Sequence, residues 1–226
     1  MALEKARALL FDLDGTLIDS APDLAQAVDA MLAELGRPLA GEERVRYWVG
    51  NGAARLVKRA LTGEWEGEPQ KALFERALRL FFHYYGDNLV DRTRLYPGAR
   101  EGLDELLARG FKLGIVTNKP ARFTLPILAR LGIYDEFDVV VAGDTLDQKK
   151  PHPLPLLYAA RDLGLHPSEV VMVGDSMNDV VAAREAGMAI VCVPYGYNHG
   201  SDIFDAQPDA VIDSMVELAS LLARVA

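Results

Sequence analysis

The apolar run Ala8-Leu9-Leu10-Phe11 stops abruptly at two carboxylates, Asp12 and Asp14, with Gly15-Thr16 directly behind them. A short, wholly apolar run reads as a buried parallel strand, because a strand covered on both faces has no polar side to alternate with. Parallel strands need long crossovers, so this feature commits the chain to strands alternating with helices. In open sheets of that class, ligands bind outside the carboxyl ends of the strands. Two acids there can hold a hard divalent cation, and one of them can attack an electrophile.

The pattern recurs. Strands are expected at Ala8–Asp12, Lys112–Thr117, Asp138–Ala142, Val170–Gly174 and Ala189–Val193, with helices at Gly98–Arg109, Thr124–Leu131, Pro153–Leu163 and Asp179–Ala186. Gly110, Gly132, Gly164 and Gly187 fall just past helix ends, where a left-handed cap is wanted. The expected fold class is α/β, a doubly wound parallel-sheet (Rossmann-like) core. From about Ile18 to Asp91 the rhythm breaks. That stretch shows no convincing strand and reads as helices at Asp23–Leu35, Glu42–Val49, Ala53–Leu61 and Glu68–Tyr85. It is expected to form a small α-helical cap domain, 18–91, inserted into a core built from 1–17 and 92–226. Its root lies beside Asp12 and Asp14, where it can act as a lid.

The net charge of −9 and the pI of ≈ 5.0 disfavour a phosphate-tracking nucleic-acid binder, so no nucleic-acid partner is expected. A small phosphorylated metabolite remains compatible, provided a metal and a few local cations reverse the field at the site. No apolar run approaches the ~20 residues needed to cross a membrane, and none is expected to bind one. The first strand begins too near Met1 to leave room for a signal peptide. Cys192 is the single cysteine, which excludes an internal disulfide and fits a reducing, cytoplasmic location. The chain is equally compatible with a monomer and a homodimer.

Four clusters can carry chemistry. Asp12 and Asp14 fit a turn; they also fit nucleophilic attack by Asp12 and proton transfer by Asp14. A calcium EF-hand loop fails, because its sixth position would be Leu17 and a strand precedes it. In Gly114-Ile-Val-Thr117-Asn118-Lys119 the hydroxyl and amide can donate to phosphate oxygens without adding charge, although a Thr-Asn turn accounts for them as well. In Lys149-Lys150-Pro151 a lysine can bind phosphate, or the doublet can be plain surface. Lys150 is favoured because the adjacent proline, expected in the first turn of a helix, fixes its backbone. In Gly174-Asp175-Ser-Met-Asn-Asp179, Asp175 is placed to complete a magnesium site with Asp12. Asp179 can bind a metal-ligated water, orient Lys150, or simply pair with a helix macrodipole. Each cluster is ambiguous alone. Their joint placement on one edge of a doubly wound sheet is not.

Asp12-Leu-Asp14-Gly-Thr, Thr117, Lys150-Pro and Gly174-Asp175-Ser-x-x-Asp179 resemble the four motifs of the haloacid dehalogenase-like (HAD) superfamily, and the helical insertion resembles its C1-type cap. Within that superfamily, several stretches are similar to the phosphoglycolate phosphatases: Ala40-Gly-Glu-Glu-Arg-Val, Trp48-Val-Gly50-Asn51-Gly52-Ala53, Thr117-Asn-Lys-Pro, Lys149-Lys-Pro-His-Pro and Tyr195-Gly-Tyr-Asn198. The resemblance implies that Asp12 forms an aspartyl phosphate, and that Asp14 protonates the leaving alkoxide and then deprotonates water. It implies magnesium held by Asp12, the Asp14 backbone carbonyl and Asp175, with phosphate held by Thr117, Asn118 and Lys150. The expected reaction is hydrolysis of 2-phosphoglycolate. A sugar phosphate, a nucleotide monophosphate or pyrophosphate, a phosphosugar transfer, and a catalytically silent phospho-ligand binder are the alternatives. Asp14 separates the chain from true dehalogenases, which by the same resemblance lack the second acid and need no magnesium.

In the cap, Gly50-Asn51-Gly52 is expected at a helix start. There its backbone N–H groups can receive the substrate carboxylate, or it forms an ordinary Asn-Gly turn. Arg55, Lys119 and Arg122 are further candidate cations. Tyr47 and Trp48 are expected in the cap's own core and Cys192 in the sheet. His152 is expected to serve a helix start, while His83, His166 and His199 read as surface or loop residues.

Overall fold

A computed structural model describes residues 2–222; residue 1 and residues 223–226, the outer ends of the expected core, lie outside the described residues. Strands β1 (Ala8–Phe11), β4 (Lys112–Val116), β5 (Val139–Val141), β6 (Val170–Gly174), β7 (Ala189–Cys192) and β8 (Ala210–Val211) form one parallel sheet in the order β5-β4-β1-β6-β7-β8. Side chains alternate across it, as the strand period requires. Leu9, Phe11, Ile115 and Val173 face helices α5 (Ala99–Ala108), α6 (Ala121–Arg130) and α9 (Met215–Leu221). Ala8, Leu10, Val116 and Met172 face α7 (Leu154–Asp162) and α8 (Met177–Ala186). Covering both faces is what allows unbroken apolar strands; each fully buried Leu or Phe contributes roughly 1.5–3 kcal/mol. β1 lies between β4 and β6, so the winding direction reverses beside it and a crevice opens at its carboxyl end.

The expected strands are present, but most stop a residue short of their polar ends. The ladder still runs one bond further, with the Asp12, Thr117 and Val193 N–H groups donating to Val173, Val141 and Gly174 carbonyls at 2.9, 3.0 and 3.0 Å. The glycines after α5, α6, α7 and α8 all adopt positive φ, as their positions anticipated.

Helices α1 (Ala21–Glu34), α2 (Glu42–Trp48), α3 (Ala53–Thr62) and α4 (Lys71–Asp87) fill the inserted stretch, with α1 packed along α4. That stretch is not free of strand. β2 (Ile18–Asp19) pairs antiparallel with β3 (Arg94–Leu95), so the two chain crossings into and out of the helices form one ribbon. Buried Asp23 ties the crossings together, accepting from the Thr93 N–H at 2.8 Å and the Thr93 hydroxyl at 2.7 Å. The apolar cluster on this side runs from Phe11 and Leu13 through Ile18 into Val28, Met31 and Phe81 without a gap.

Helix starts show the largest departures from the sequence reading. α4 begins after Pro69, at Lys71. α6 begins three residues early, directly behind Pro120, and tolerates Pro126 inside it at the loss of one bond to the Arg122 carbonyl. α7 begins at Leu154, so Pro151 precedes the helix; His152 does serve its start, its Nδ1 accepting from the Leu154 N–H at 3.1 Å.

Candidate active site

Asp12 leaves β1 and Asp175 leaves its neighbour β6, so the two acids meet at the carboxyl rim of the sheet. Asp179, in the first turn of α8, joins them: ligand oxygens of all three lie within 4.8 Å of one another. The chain turns sharply after Phe11, and the Leu13 N–H holds Asp12 Oδ1 at 2.7 Å. Gly15 makes this turn possible. Its φ is +89°, and a Cβ there would stand 2.3 Å from Asp175 Oδ2. Asp175 is fixed from two sides, by the Thr16 hydroxyl at 3.0 Å and by the backbone N–H of Tyr197 at 2.5 Å.

Lys150 sits among these acids. Its Nζ is 3.0 Å from Asp12 Oδ1 and donates to Asp179 Oδ1 at 2.7 Å. Lys150 is 2 % exposed, whereas Lys149 lies on the surface. The other oxygen of Asp179 closes a capping box with Ser176, accepting its hydroxyl at 2.8 Å. Asp179 therefore both caps α8 and fixes Lys150.

Burial pushes the Asp12 carboxyl up to about 6; Lys150 opposes this, while Asp179 and Asp14 add repulsion. Burial, then the charges of Asp179 and Asp12, push Asp175 well above the usual carboxylate range. Burial disfavours the Lys150 charge, but Asp12 and Asp179 overrule it and hold the ammonium above its ordinary pKa. Half-buried Asp12 and the two buried acids Asp175 and Asp179, against one lysine, leave an excess of negative charge on hard oxygen donors. That donor set fits a divalent metal ion.

The Asp14 carboxylate stands outside this cluster. It receives Lys119 Nζ at 2.8 and 3.0 Å on its two oxygens, and the Ser20 hydroxyl at 2.5 Å. Ser20 is the residue before α1, so Asp14 links the rim to the root of the insertion. Thr117 lines the same site and is buried. Asn118 is also there, but its amide donates to the Lys150 carbonyl at 2.9 Å and the Gly50 carbonyl at 3.0 Å. Those two bonds use both amide hydrogens, so the expected donation from this amide to phosphate does not match its partners.

Above the rim, Gly50 and Gly52 line a cavity of ≈ 40 Å³ together with Asp12, Asp14, Lys119 and Tyr85. Gly52 is the N-cap of α3, with φ +83°. Asn51 turns away from the cavity, and its Oδ1 accepts from Arg59 Nη2 at 2.9 Å. Arg59 is 1 % exposed; it also donates to the Trp48 carbonyl at 2.6 Å and lies 3.3 Å over the Trp65 ring. It braces the loop from below. Arg55 pairs with Glu66 and Glu68, and Arg122 lies over Phe82 and Phe123; of the three candidate cations only Lys119 lines the cavity.

Trp48 is buried as expected, but Tyr47 is 49 % exposed and its carbonyl is 2.9 Å from His199 Nδ1. His199 is no free loop residue: its ring lies 4.6 Å from Trp65, where the sheet side meets the insertion. Ser20, Arg59 and Tyr85 are the site residues that the motifs did not point to; Thr16 and Tyr197 lie in the matching stretches, which gave them no role. Ser20 was within reach, since it lies a few residues from Asp14; Arg59 and Tyr85 are brought in by tertiary packing alone.

Known proteins are similar to this chain. Residues 6–187 match the family model described as haloacid dehalogenase-like hydrolase. A phosphoglycolate phosphatase from Nitrosococcus oceani is 53 % identical, covering 99 % of this chain and 100 % of that protein. One from Nitrosospira multiformis is 47 % identical, with 96 % of each chain covered. The crystal structure of a protein from Haemophilus somnus, described as a predicted phosphoglycolate phosphatase, superposes with a TM-score of 0.91 at 39 % identity, covering 97 % of this chain and 99 % of that one. The sheet order, the acidic rim and these matches agree, and the chain belongs to the haloacid dehalogenase-like hydrolases.

Proposed function

We propose that the enzyme hydrolyses 2-phosphoglycolate to glycolate and phosphate, with Asp12 as nucleophile. The observation that carries the substrate reading is the cavity that the Lys119 ammonium lines together with Asp12, Asp14 and Thr117, a cation set to meet a carboxylate beside the phosphate. The names of the relatives that are 47 % and 53 % identical support the same substrate.

In this reading Asp12 attacks phosphorus and forms an aspartyl phosphate, which splits one hard displacement into two easier ones. Asp14 protonates the departing alkoxide, then takes a proton from the hydrolytic water. Lys150 and the Thr117 hydroxyl hold the equatorial oxygens, with Asp179 keeping Lys150 in place. Asp12, Asp175 and the Asp14 backbone carbonyl would hold magnesium, which would supply positive charge where charge spreads in the transition state. Residues 18–91 act as a cap that opens and closes on the β2–β3 crossings, excluding bulk water while the phosphoryl group passes to Asp12 and then admitting the hydrolytic water. The first-turn N–H groups of α3, presented by Gly52, give the cap an anion-binding edge. A cytoplasmic location accompanies this reading, with buried Cys192 a free thiol.

The test is side-by-side turnover of 2-phosphoglycolate, glucose 6-phosphate, pyrophosphate and a nucleoside monophosphate with magnesium present. 2-Phosphoglycolate is expected to exceed the others in kcat/KM by at least ~100-fold, the scale of one well-made polar discrimination. Comparable rates on all four would overturn the assignment, and no turnover of any would favour a silent phospho-ligand binder.

A further inference from the structure

The roof of the cavity is largely apolar, and Tyr85 is the exception. Its side chain is 1 % exposed and its hydroxyl has no hydrogen-bond partner among the described residues. Such a group is costly to bury, and a phenylalanine would fill the same space without the loss. The ring is locked by Phe81, stacked at 5.6 Å, and by Phe123, edge-on at 4.9 Å. The hydroxyl oxygen faces the Lys119 ammonium, which can only donate, so the hydroxyl's own proton is left without an acceptor. Lys119 Nζ lies 4.9 Å from the same ring, and both residues line the cavity with Asp14 and Gly52. Burial raises the Tyr85 hydroxyl to about 12, with Lys119 opposing and Asp14 adding to the shift. It stays protonated at neutral pH and can donate. Burial disfavours the Lys119 charge, but Asp14 and Tyr85 override it and hold its pKa above the ordinary value. A neutral donor and a cation thus stand together in the lining of the cavity.

We propose that Tyr85 and Lys119 form the specificity-determining pair that receives the substrate's carboxylate, the group remote from phosphorus. The hydroxyl donates to one carboxylate oxygen while the ammonium, still in contact with Asp14, faces the other. A site built this way rejects a tail that cannot accept, because the hydroxyl then stays unpaired. The inference rests on 2-phosphoglycolate being the substrate.

The test compares wild type with Tyr85→Phe on 2-phosphoglycolate and on ethyl phosphate, whose methyl group replaces the carboxylate. Wild type is expected to prefer 2-phosphoglycolate. Tyr85→Phe should lower kcat/KM for 2-phosphoglycolate by about 10- to 100-fold, the effect of losing one hydrogen bond to a charged group. Ethyl phosphate turnover should change less than about threefold, and the melting temperature should shift by no more than a few degrees, since only the weak contact with the Lys119 ammonium is lost. Equal losses on both substrates, or a 2-phosphoglycolate preference that survives the substitution, would overturn the role of Tyr85 alone. A wild type without that preference would overturn the substrate reading and this inference with it.

Discussion

Asp179 in the rim of the sheet and Arg59 in the helical roof are both charged and both buried, at 0 % and 1 % exposed. Their surroundings differ. Asp179 faces an opposite charge, Lys150, within a cluster that still carries too much negative charge. Arg59 faces two backbone carbonyls, an amide oxygen and a tryptophan ring, with the exposed Glu66 carboxylate only at 4.0 Å, and its burial lowers its pKa to about 10 against the pull of Glu66. The rim is an electrostatic device, incomplete until a cation balances it. The roof is a mechanical one, complete in itself, that holds a loop in shape. Substitutions in the two should therefore separate activity from stability.

The sharpest break comes from Asp12→Asn. It removes the nucleophile, so turnover should fall by about 10⁴-fold or more and no phosphoenzyme should form. It also removes one charge from an over-acidic cluster, so the melting temperature of the cation-free protein should hold or rise. Near-normal turnover would refute the nucleophile. A collapse in melting temperature would refute the account of the rim.

Arg59→Met should do the reverse. It strands the Trp48 and Trp65 carbonyls and the Asn51 oxygen, at a cost of about 1–3 kcal/mol for each group left without water. The melting temperature should drop by several degrees, while hydrolysis of ethyl phosphate, which needs only the rim, stays within about threefold. A fall in that rate as large as the one on 2-phosphoglycolate would show that the loop serves the chemistry itself.

The smallest effect is the pH dependence of cation stabilisation. Asp12 binds its proton more tightly when folded, with a pKa of about 6 against an ordinary 3.8. A raised acid of this kind favours the fold at low pH, and that contribution is lost as pH rises through about 6. Magnesium should offset the loss. It is expected to raise the melting temperature by roughly 5 °C at pH 8 and by less than half of that at pH 5, read by thermal melts with and without chelator. An equal gain at both pH values would mean that the ion is held elsewhere.

Much of the rim was legible because parallel strands leave little choice. Once Ala8–Phe11 and Val170–Gly174 are recognised as neighbouring buried strands, Asp12 and Asp175 must emerge on the same edge. The same reasoning delivers Thr117 from β4. At the level of atoms it gives less: Asn118 lines the cavity, but its amide bonds carbonyls, and the Asp14 carboxylate bonds Lys119 instead of joining the other acids. The roof was legible only as helices. Helical spacing shows that Phe81 and Tyr85 share a buried face, but not that this face meets Lys119 from the other side of the chain. Nothing in the period of α3 distinguishes Arg59 from a solvated arginine. The ribbon of β2 and β3, at two residues a strand, has no period to read at all.

The Asn118 amide bridges the Lys150 carbonyl below and the Gly50 carbonyl above. Lifting the insertion would part only the upper bond, because Lys150 belongs to the sheet side. An amide hydrogen would then be released at the doorway when an incoming phosphate arrives, and be withdrawn again on closing. One side chain would thus greet the ligand in the open enzyme and bolt the door in the closed one.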